Sequence, residues 1–575
     1  MLRKRPTRSL AALGAGAALL VSGVPGVAQQ EAIPMVFQEV LDVRVVNVEV
    51  VVTDGKGLRV RGLEASDFRL LVDGEEVPID FFSEVVGGRV SERKVAVTGE
   101  QPVVVPELEP GRPVGTSYLV FVDDFFSIAR DRNRVLKKFE EDLDRMGAED
   151  RMAIVAYDGR ELEMLASWTN SKRVIVDALR RARGRKAYGL HRMAELRRND
   201  DDRQLRRRRS NELDQVLAEQ GPERDTYSII AGLDPVERPY ATRLTNQIER
   251  SVNAAVATLR GFARPGGRKA MMILAGGWPF SPAEYTVNDF DSAMGDAILA
   301  ANDPSIRSHD QLFGPVVDTA NLLGYTLYPV DLPGLRSDSR DASYQQPGEG
   351  RLYSEFQARS REYGLHASLD FLAEETGGES LINSLRDEFF EHVVEDTRSY
   401  YWLGFSPQRA GDNQRHDIKV KVVGKGLRVR ARDGFLDLSR DREQTMMVES
   451  SLLFGNPPSA TPLDLHFGRP ERKSLKMLVP LQVAIPMKEV AMLPIGEDLY
   501  GADLEVRISV MDDDGGRSDT PVEKIEIRGR DLPPPGSVFT YVTTLTMRKR
   551  NHRVVVAVWD PVGGSVMSNS IELTP

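Results

Sequence analysis

The stretch Ser117-Tyr-Leu-Val-Phe-Val-Asp-Asp-Phe-Phe-Ser127 constrains the fold more than any other part of the chain. Leu119 to Val122 is a short, continuous apolar run with β-branched and aromatic content. Such a run marks a strand buried on both faces, as in a parallel sheet under helices. It leads directly into Asp123 and Asp124, and then into Ser127. Ligands in open α/β sheets sit at the carboxyl ends of the strands, and hard cations take oxygen ligands. Two carboxylates and a hydroxyl at that place are therefore a candidate cation site. The same residues also suit a plainer role, with Asp124 and Ser127 capping the helix that begins near Asp131.

The segments that follow alternate between helical and strand patterns. Asn133 to Met146 and Val174 to Leu179 carry helical spacing, while Met152 to Tyr157 is a second apolar strand with Leu162 to Trp168 at its edge. An amphipathic helix at Ile248 to Phe262 precedes the buried strand Ala270 to Leu274, and a helix at Leu312 to Leu323 leads into the strand Tyr325 to Val330. This order predicts an α/β class with a doubly wound, Rossmann-like sheet over residues 114–405. Within it, Arg197-Arg198 and Arg206 to Arg209 face Asp200 to Asp202 and Glu212, with sparse apolar residues at helical spacing. Residues 184–225 read as a charged helical insertion projecting into solvent. Its functional alternative is a contact for an acidic partner or polyanion.

β segments flank this core. Val43 to Val52, Leu58 to Val60, Phe68 to Val72 and Val77 to Phe82 form an N-terminal β module at 36–96, followed by a Pro-rich linker at 97–113. After the core, Tyr400 to Phe405 is a strand, and Ile418 to Val423 with Leu427 to Ala431 reads as a hairpin within a module at 406–440. Gly424 to Arg430 repeats Gly55 to Arg61 residue for residue, Gly-Lys-Gly-Leu-Arg-Val-Arg. Shared hairpin chemistry explains the repeat, and so does packing of 406–440 with 36–96 into one composite sandwich. Beyond Pro457-Pro458, alternating segments from Leu478 to Trp559 predict an immunoglobulin-like β-sandwich over 457–575. Asp512-Asp-Asp-Gly-Gly516 lacks the spacing of the EF-hand loop and reads as a hairpin turn.

The amino terminus has a basic head (Arg3, Lys4, Arg5, Arg8), an apolar run from Leu10 to Val21, and small residues at Gly26-Val27-Ala28. It reads as a Sec-type signal peptide at 1–28, cleaved after Ala28. The run falls short of the ~20 apolar residues a membrane span needs. A secreted or periplasmic chain with no transmembrane segment is expected. The net charge of -10 argues against nucleic acid as a partner. The absence of cysteine removes disulfides, thiolate zinc sites and a cysteine nucleophile. The seven histidines contain no H-x-x-x-H pair, which leaves a zinc hydrolase without support.

Several segments together carry a resemblance. They are Val50-Val-Val-Thr-Asp-Gly, Leu63-Glu-Ala-Ser-Asp-Phe, Asp73-Gly74, Lys269-Ala-Met-Met-Ile-Leu, Leu372-Ala-Glu-Glu-Thr-Gly-Gly, Tyr400-Tyr-Trp-Leu-Gly-Phe and Val429-Arg-Ala-Arg-Asp-Gly-Phe, in that order. In these the chain resembles bacterial exported proteins with a von Willebrand factor A-related (VWA) domain. The resemblance implies a metal-ion-dependent adhesion site made of Asp-x-Ser-x-Ser after the first strand, a Thr from a second loop and an Asp from a third. Carried over, Asp123 matches the first Asp, Ser127 the last Ser and Thr169 the Thr, with Asp124 as a further candidate ligand. Phe125 stands where the middle Ser belongs, and Gly276 where the final Asp belongs. A site missing one hydroxyl and one carboxylate is degenerate, because Mg²⁺ needs near-octahedral oxygen ligation. No resident cofactor is expected, and weak Mg²⁺ or Ca²⁺ binding at most.

The expected function is accordingly non-enzymatic: an adhesion-type module binding a protein or an envelope polymer, with no catalytic residue. A polyanion-binding role for the Arg-rich insertion is one alternative. A serine hydrolase built on Ser127 and Asp123 is another, although it has no G-x-S-x-G elbow and no evident histidine base.

Overall fold

A computed structural model describes residues 46–94, 111, 113–218, 237–262, 267–287, 303–332, 349–382, 388–407, 411–454, 461–474, 476–496, 499–512 and 518–575. The expected signal peptide, most of the expected Pro-rich linker, the end of the expected insertion and Asp513 to Gly516 lie outside them. The protein is mixed α/β, and its described residues contain five sheets. No helix among them is long and apolar enough to cross a membrane.

The central sheet is assembled around strand β6, Thr116–Asp123, every residue of which is buried. With β7 (Arg151–Tyr157), β8 (Leu162–Thr169), β9 (Arg268–Ala275) and β10 (Tyr325–Asp331) it forms the order β10-β9-β6-β7-β8. The first four strands are parallel, and β8 closes the edge antiparallel to β7. Alternate residues of β6 feed two separate cores, which is why its apolar run has no polar interruption. Leu119 and Phe121 pack with α4 (Arg238–Gly261), α6 (His309–Leu323) and Leu365 and Leu372 of α7 (Glu349–Glu374). Tyr118, Val120 and Val122 pack on the other face with α1 (Ala129–Glu141), α2 (Lys172–Gly184) and α8 (Phe389–Arg398). Full burial of each large apolar side chain contributes about 1.5–3 kcal/mol, so this one strand anchors both layers. Helix α6 shows its local signals clearly: Ser308 and Gln311 form a capping box at its start, and Gly324 ends it at φ 69°.

The N-terminal β segments and strands 400–436 share sheets. Strand β1 (Val46–Thr53) pairs β11 (Tyr400–Phe405) through Val46 to Val50 and β13 (Arg428–Arg430) through Val51 to Thr53. Strand β2 (Phe68–Val72) pairs β12 (Arg415–Val422). Val48, Val50, Phe68, Leu70, Leu403 and Ile418 meet in the core between the two sheets. The expected hairpin of Ile418 to Val423 with Leu427 to Ala431 does not form. Strand β12 belongs to one sheet and β13 to the other, so the chain crosses the sandwich at Gly424 to Gly426, and Val420 and Val429 both turn inward. The repeated heptapeptides flank the end of β1, since Thr53 bridges Arg59 on one side and Arg428 on the other. One carboxylate ties both copies to the α/β core. Asp396, near the end of α8, is bonded by Arg59, by Arg430 and, at 2.6 Å, by the hydroxyl of Tyr328.

The expected solvent-projecting insertion differs too. Helix α3 (Gly189–Ala218) is present, but its first turns are packed. Leu196 joins the core beneath α4, and the fully enclosed Arg361 of α7 grips Asp200 through two hydrogen bonds of 2.7 Å. In this half Asp200 and Arg361 form a largely buried pair, while Arg198, Asp201 and Asp202 remain exposed. Helix α9 (Arg440–Phe454), between the two expected β modules, packs against α4 and sets Val448 and Leu452 on Val555 and Ala557. It thereby joins the α/β core to the C-terminal β region. There, β18 (Lys476–Pro486) and β22 (Val538–Met547) lie in one sheet, with β20 (Leu499–Asp512), β23 (His552–Trp559) and β24 (Val566–Leu573) in a second, around a common core. Asp512 is buried and bonded by Arg548 at 3.2 Å, so its carboxylate is not free to serve a cation loop.

Candidate functional site

The carboxyl ends of β6 and β9 bring Asp123, Asp124, Phe125, Ser127 and Gly276 together, as parallel pairing of those strands requires. Thr169 is not among them. Asp123 stands opposite Tyr157 at the end of β7, whereas Thr169 stands opposite Met152 near its start. Five residues of strand separate the two, about 17 Å. Because β8 is antiparallel, its last residue reaches the amino edge of the sheet. Thr169 Oγ1 instead accepts the backbone N–H of Ser171 at 3.1 Å, just before α2.

Asp123 is fully buried and already supplied with donors. Its Oδ1 accepts the N–H groups of Phe125 and Phe126 at 2.9 and 3.3 Å, and its Oδ2 accepts the indole N–H of Trp278 at 2.8 Å. Burial pushes this carboxyl up to about 7, against the pull of those same donors. Asp124 points elsewhere. It is bonded by Arg132 of α1 and, at 2.6 Å, by Nε of Arg185. Ser127 is fully buried and donates its hydroxyl to the carbonyl of Asp123. A nucleophilic serine needs a base within hydrogen-bond reach; this hydroxyl is spent inside its own turn.

The site is also roofed. Tyr188 N donates to Asp124 O and Gly189 N to Ser127 O, each at 2.8 Å, so the entry to α3 lies on the β6–α1 loop. The approach leaves no room for a side chain at 189, where a Cβ would stand 2.6 Å from the carbonyl of Ser127. Phe125 lies against Gly159, whose φ of 95° suits only glycine and whose Cβ would meet the ring at 2.3 Å. The guanidinium groups of Arg192 and Arg250 stack over the same ring at 4.6 and 5.6 Å. Gly276 is buried just after β9, and Gly277, at φ 95°, turns the chain so that Trp278 reaches Asp123.

The residues that matter most here, Trp278, Arg132 and Arg185, were not evident from the sequence. Trp278 follows Gly276-Gly277 directly after a buried strand, and that pairing of small residues with one large donor was the available signal. Nothing in the spacing marks the two arginines.

No protein-family model matches the chain, and no curated protein matches its sequence. Among solved structures, a Bacteroides uniformis beta-glucuronidase aligns over 31% of this chain and 19% of its own, at 10% identity and a TM-score of 0.13. The chicken interferon gamma receptor alpha chain aligns over 30% of this chain and 71% of its own, at 10% identity and a TM-score of 0.11. The chain thus spans less than a fifth of the glucuronidase, and neither likeness bears on the fold or the site.

Proposed function

We propose that this chain is an exported, non-enzymatic interaction protein. Its α/β domain, of the von Willebrand factor A-related kind, binds a protein or an envelope polymer without a resident divalent ion. The observation that carries this reading is the Trp278–Asp123 hydrogen bond at 2.8 Å. A neutral indole donor occupies the carboxylate oxygen that a cation would need, in a spot closed to solvent. The strand order β10-β9-β6-β7-β8 with an antiparallel edge supports the domain assignment. The two-sheet C-terminal region, read as immunoglobulin-like, supports a role in display and contact.

The test is capture from envelope extracts on the immobilised full mature chain, run with Mg²⁺ and with a chelator, alongside calorimetric titration with Mg²⁺ and Mn²⁺. Capture unaffected by the chelator, with no metal heat, is the expected result. A low-micromolar dissociation constant for Mg²⁺, lost in Asp123→Ala, would overturn it.

A further inference from the structure

In the N-terminal sandwich, Asp412, His416 and Asp437 bring an imidazole nitrogen and two carboxylate oxygens within 4.8 Å of one another. Strand alternation puts the imidazole there. His416 shares a face of β12 with Ile418 and Val420, both of which pack in the sandwich core. Its ring stacks on the buried Phe435 of β14 (Gly434–Leu436) at 5.2 Å. Asp412 stands four residues earlier, just before β12, and Asp437 directly follows β14, which pairs with β12. Asp437 is buried, His416 half-buried and Asp412 exposed, so the group reaches the surface through Asp412.

Each of these side chains is already oriented by its neighbours. The N–H of Gly411 donates to Oδ2 of Asp437 at 2.7 Å, and that of Gln414 to Oδ1 of Asp412 at 2.8 Å. The turn after β2 supplies Asp73, whose Oδ1 accepts the N–H of Asp417 at 2.9 Å and whose Oδ2 lies 2.7 Å from Nδ1 of His416. A carboxylate on the far nitrogen is what fixes the tautomer and direction of metal-ligating histidines. With its proton on Nδ1, a neutral ring turns the lone pair of Nε2 toward both oxygens of Asp412, at 3.1 and 3.2 Å. A lone pair facing a carboxylate is repelled, and either a proton or a metal ion between them relieves the repulsion. The proton bonds along one direction, whereas an ion collects all three atoms at once. A divalent ion also brings one more positive charge than a proton among these three carboxylates.

The donor set chooses the metal. Zn²⁺ takes imidazole and carboxylate together, while Mg²⁺ and Ca²⁺ take oxygen and Mn²⁺ stands lowest in the affinity order. Ligands about 2.1 Å from a tetrahedral zinc stand about 3.4 Å apart, close to the 3.1 Å already set between His416 and Asp412. We infer that Asp412, His416 and Asp437 bind one zinc ion, with Asp73 as the positioning residue that directs the imidazole. The ion ties the residues before β12 to the residue after β14. None of these residues belongs to the Asp123 turn, so the inference stands apart from the metal-free reading of the α/β domain.

The test is titration calorimetry on the full chain, stripped with a chelator that is then dialysed away, with Zn²⁺ as probe and Mg²⁺ as rival. One equivalent of Zn²⁺ should bind with a low-micromolar dissociation constant, and Mg²⁺ at least about a hundredfold more weakly. His416→Gln should abolish that binding. Asp412→Asn, at an exposed position, should weaken it at least about tenfold while the melting temperature of the metal-free protein holds, and it keeps the question answerable if His416→Gln does not fold. Asp73→Asn leaves all three ligands in place and should weaken zinc about tenfold, as the loss of an orienting carboxylate does. Zinc held instead by a surface pair such as His191 and Glu195 would be unmoved by these changes. No saturation below about 100 μM Zn²⁺, Mg²⁺ binding as tight as Zn²⁺, or an unchanged zinc affinity in any of the three variants would each overturn the inference.

Discussion

The indole nitrogen of Trp278 donates to Oδ2 of Asp123 across 155 residues of chain, at 2.8 Å and with both side chains fully buried. The contact turns what the order of residues presents as a cation site into a sealed polar plug.

Replacing Trp278 by Phe leaves Oδ2 of Asp123 buried without its donor. Leaving a buried acceptor unsatisfied costs about 1–3 kcal/mol, more for a charged one. Urea denaturation of the full chain should show that loss. A midpoint equal to that of the unaltered protein would mean the indole does not serve Asp123.

Restoring the missing adhesion-site residues should not restore a metal site. Phe125→Ser with Gly276→Asp returns a hydroxyl and a carboxylate, but Thr169 remains about 17 Å away along the sheet and Trp278 still fills Oδ2. Titration of that double variant with Mg²⁺ should give no saturable heat. Micromolar binding would show that the sheet edge rearranges more readily than its packing implies.

Two carboxyls give stability opposite dependences on pH. Asp123 has its folded value raised to about 7 by burial, above the ~3.9 of an unfolded Asp. The folded state therefore holds the proton more tightly, and stability falls as pH rises from about 4 to about 7, with a slope on the order of 1 kcal/mol per pH unit. Asp396 is held down at about 2, its burial outweighed by Arg430, Arg59 and Arg268. Its contribution is complete above about 4 and is lost as pH falls toward 2. Denaturation midpoints across this range should flatten between pH 4 and 7 in Asp123→Asn. The acid limb should flatten in Asp396→Asn. An unchanged profile in either variant would remove that residue from the account.

Breaking the Asp200–Arg361 pair should loosen the whole insertion. Arg361 is enclosed, and stranding one member of a buried pair costs about 3–5 kcal/mol. Asp200→Ala should lower the unfolding free energy by that order and expose Arg197 and Arg198 to trypsin. Wild-type resistance at those bonds in the variant would mean that Leu196 alone anchors the helix.

The sheet was legible because burial on both faces leaves a pattern no loop shares. Leu119 to Val122, Ala270 to Leu274 and Tyr325 to Val330 all read as strands, and strands they are. The site was legible only in part. Asp123, Ser127 and Gly276 converge because their strands are parallel neighbours; alternation signals a parallel sheet but not which strands lie side by side. Thr169 was misplaced because local spacing cannot tell which edge of a sheet an antiparallel strand reaches. The packing of α3 was hidden for a similar reason. A segment as charged as Arg197 to Asp202 looks solvated until its partner, Arg361, arrives from another helix. Trp278 carries no periodic signature, since one indole after two glycines fits any turn.

The shared sandwich has a consequence for the order in which the chain can acquire structure. Both lateral partners of β1, the strands at Tyr400–Phe405 and Arg428–Arg430, lie on the far side of the α/β core. Arg59 waits through 337 residues for Asp396. At ~5–20 residues per second that interval is on the order of tens of seconds. Until it ends, a Val-rich strand, bridged by Arg59 at Thr53, lacks both of those neighbours, and bare edges of that kind pair with the wrong chain. A protein wired this way is safest if the early strands are kept apart from other chains until residue 430 has emerged. Its most vulnerable moment is then during synthesis, and truncation before Tyr400 would leave a fragment that aggregates even though its α/β core is nearly complete.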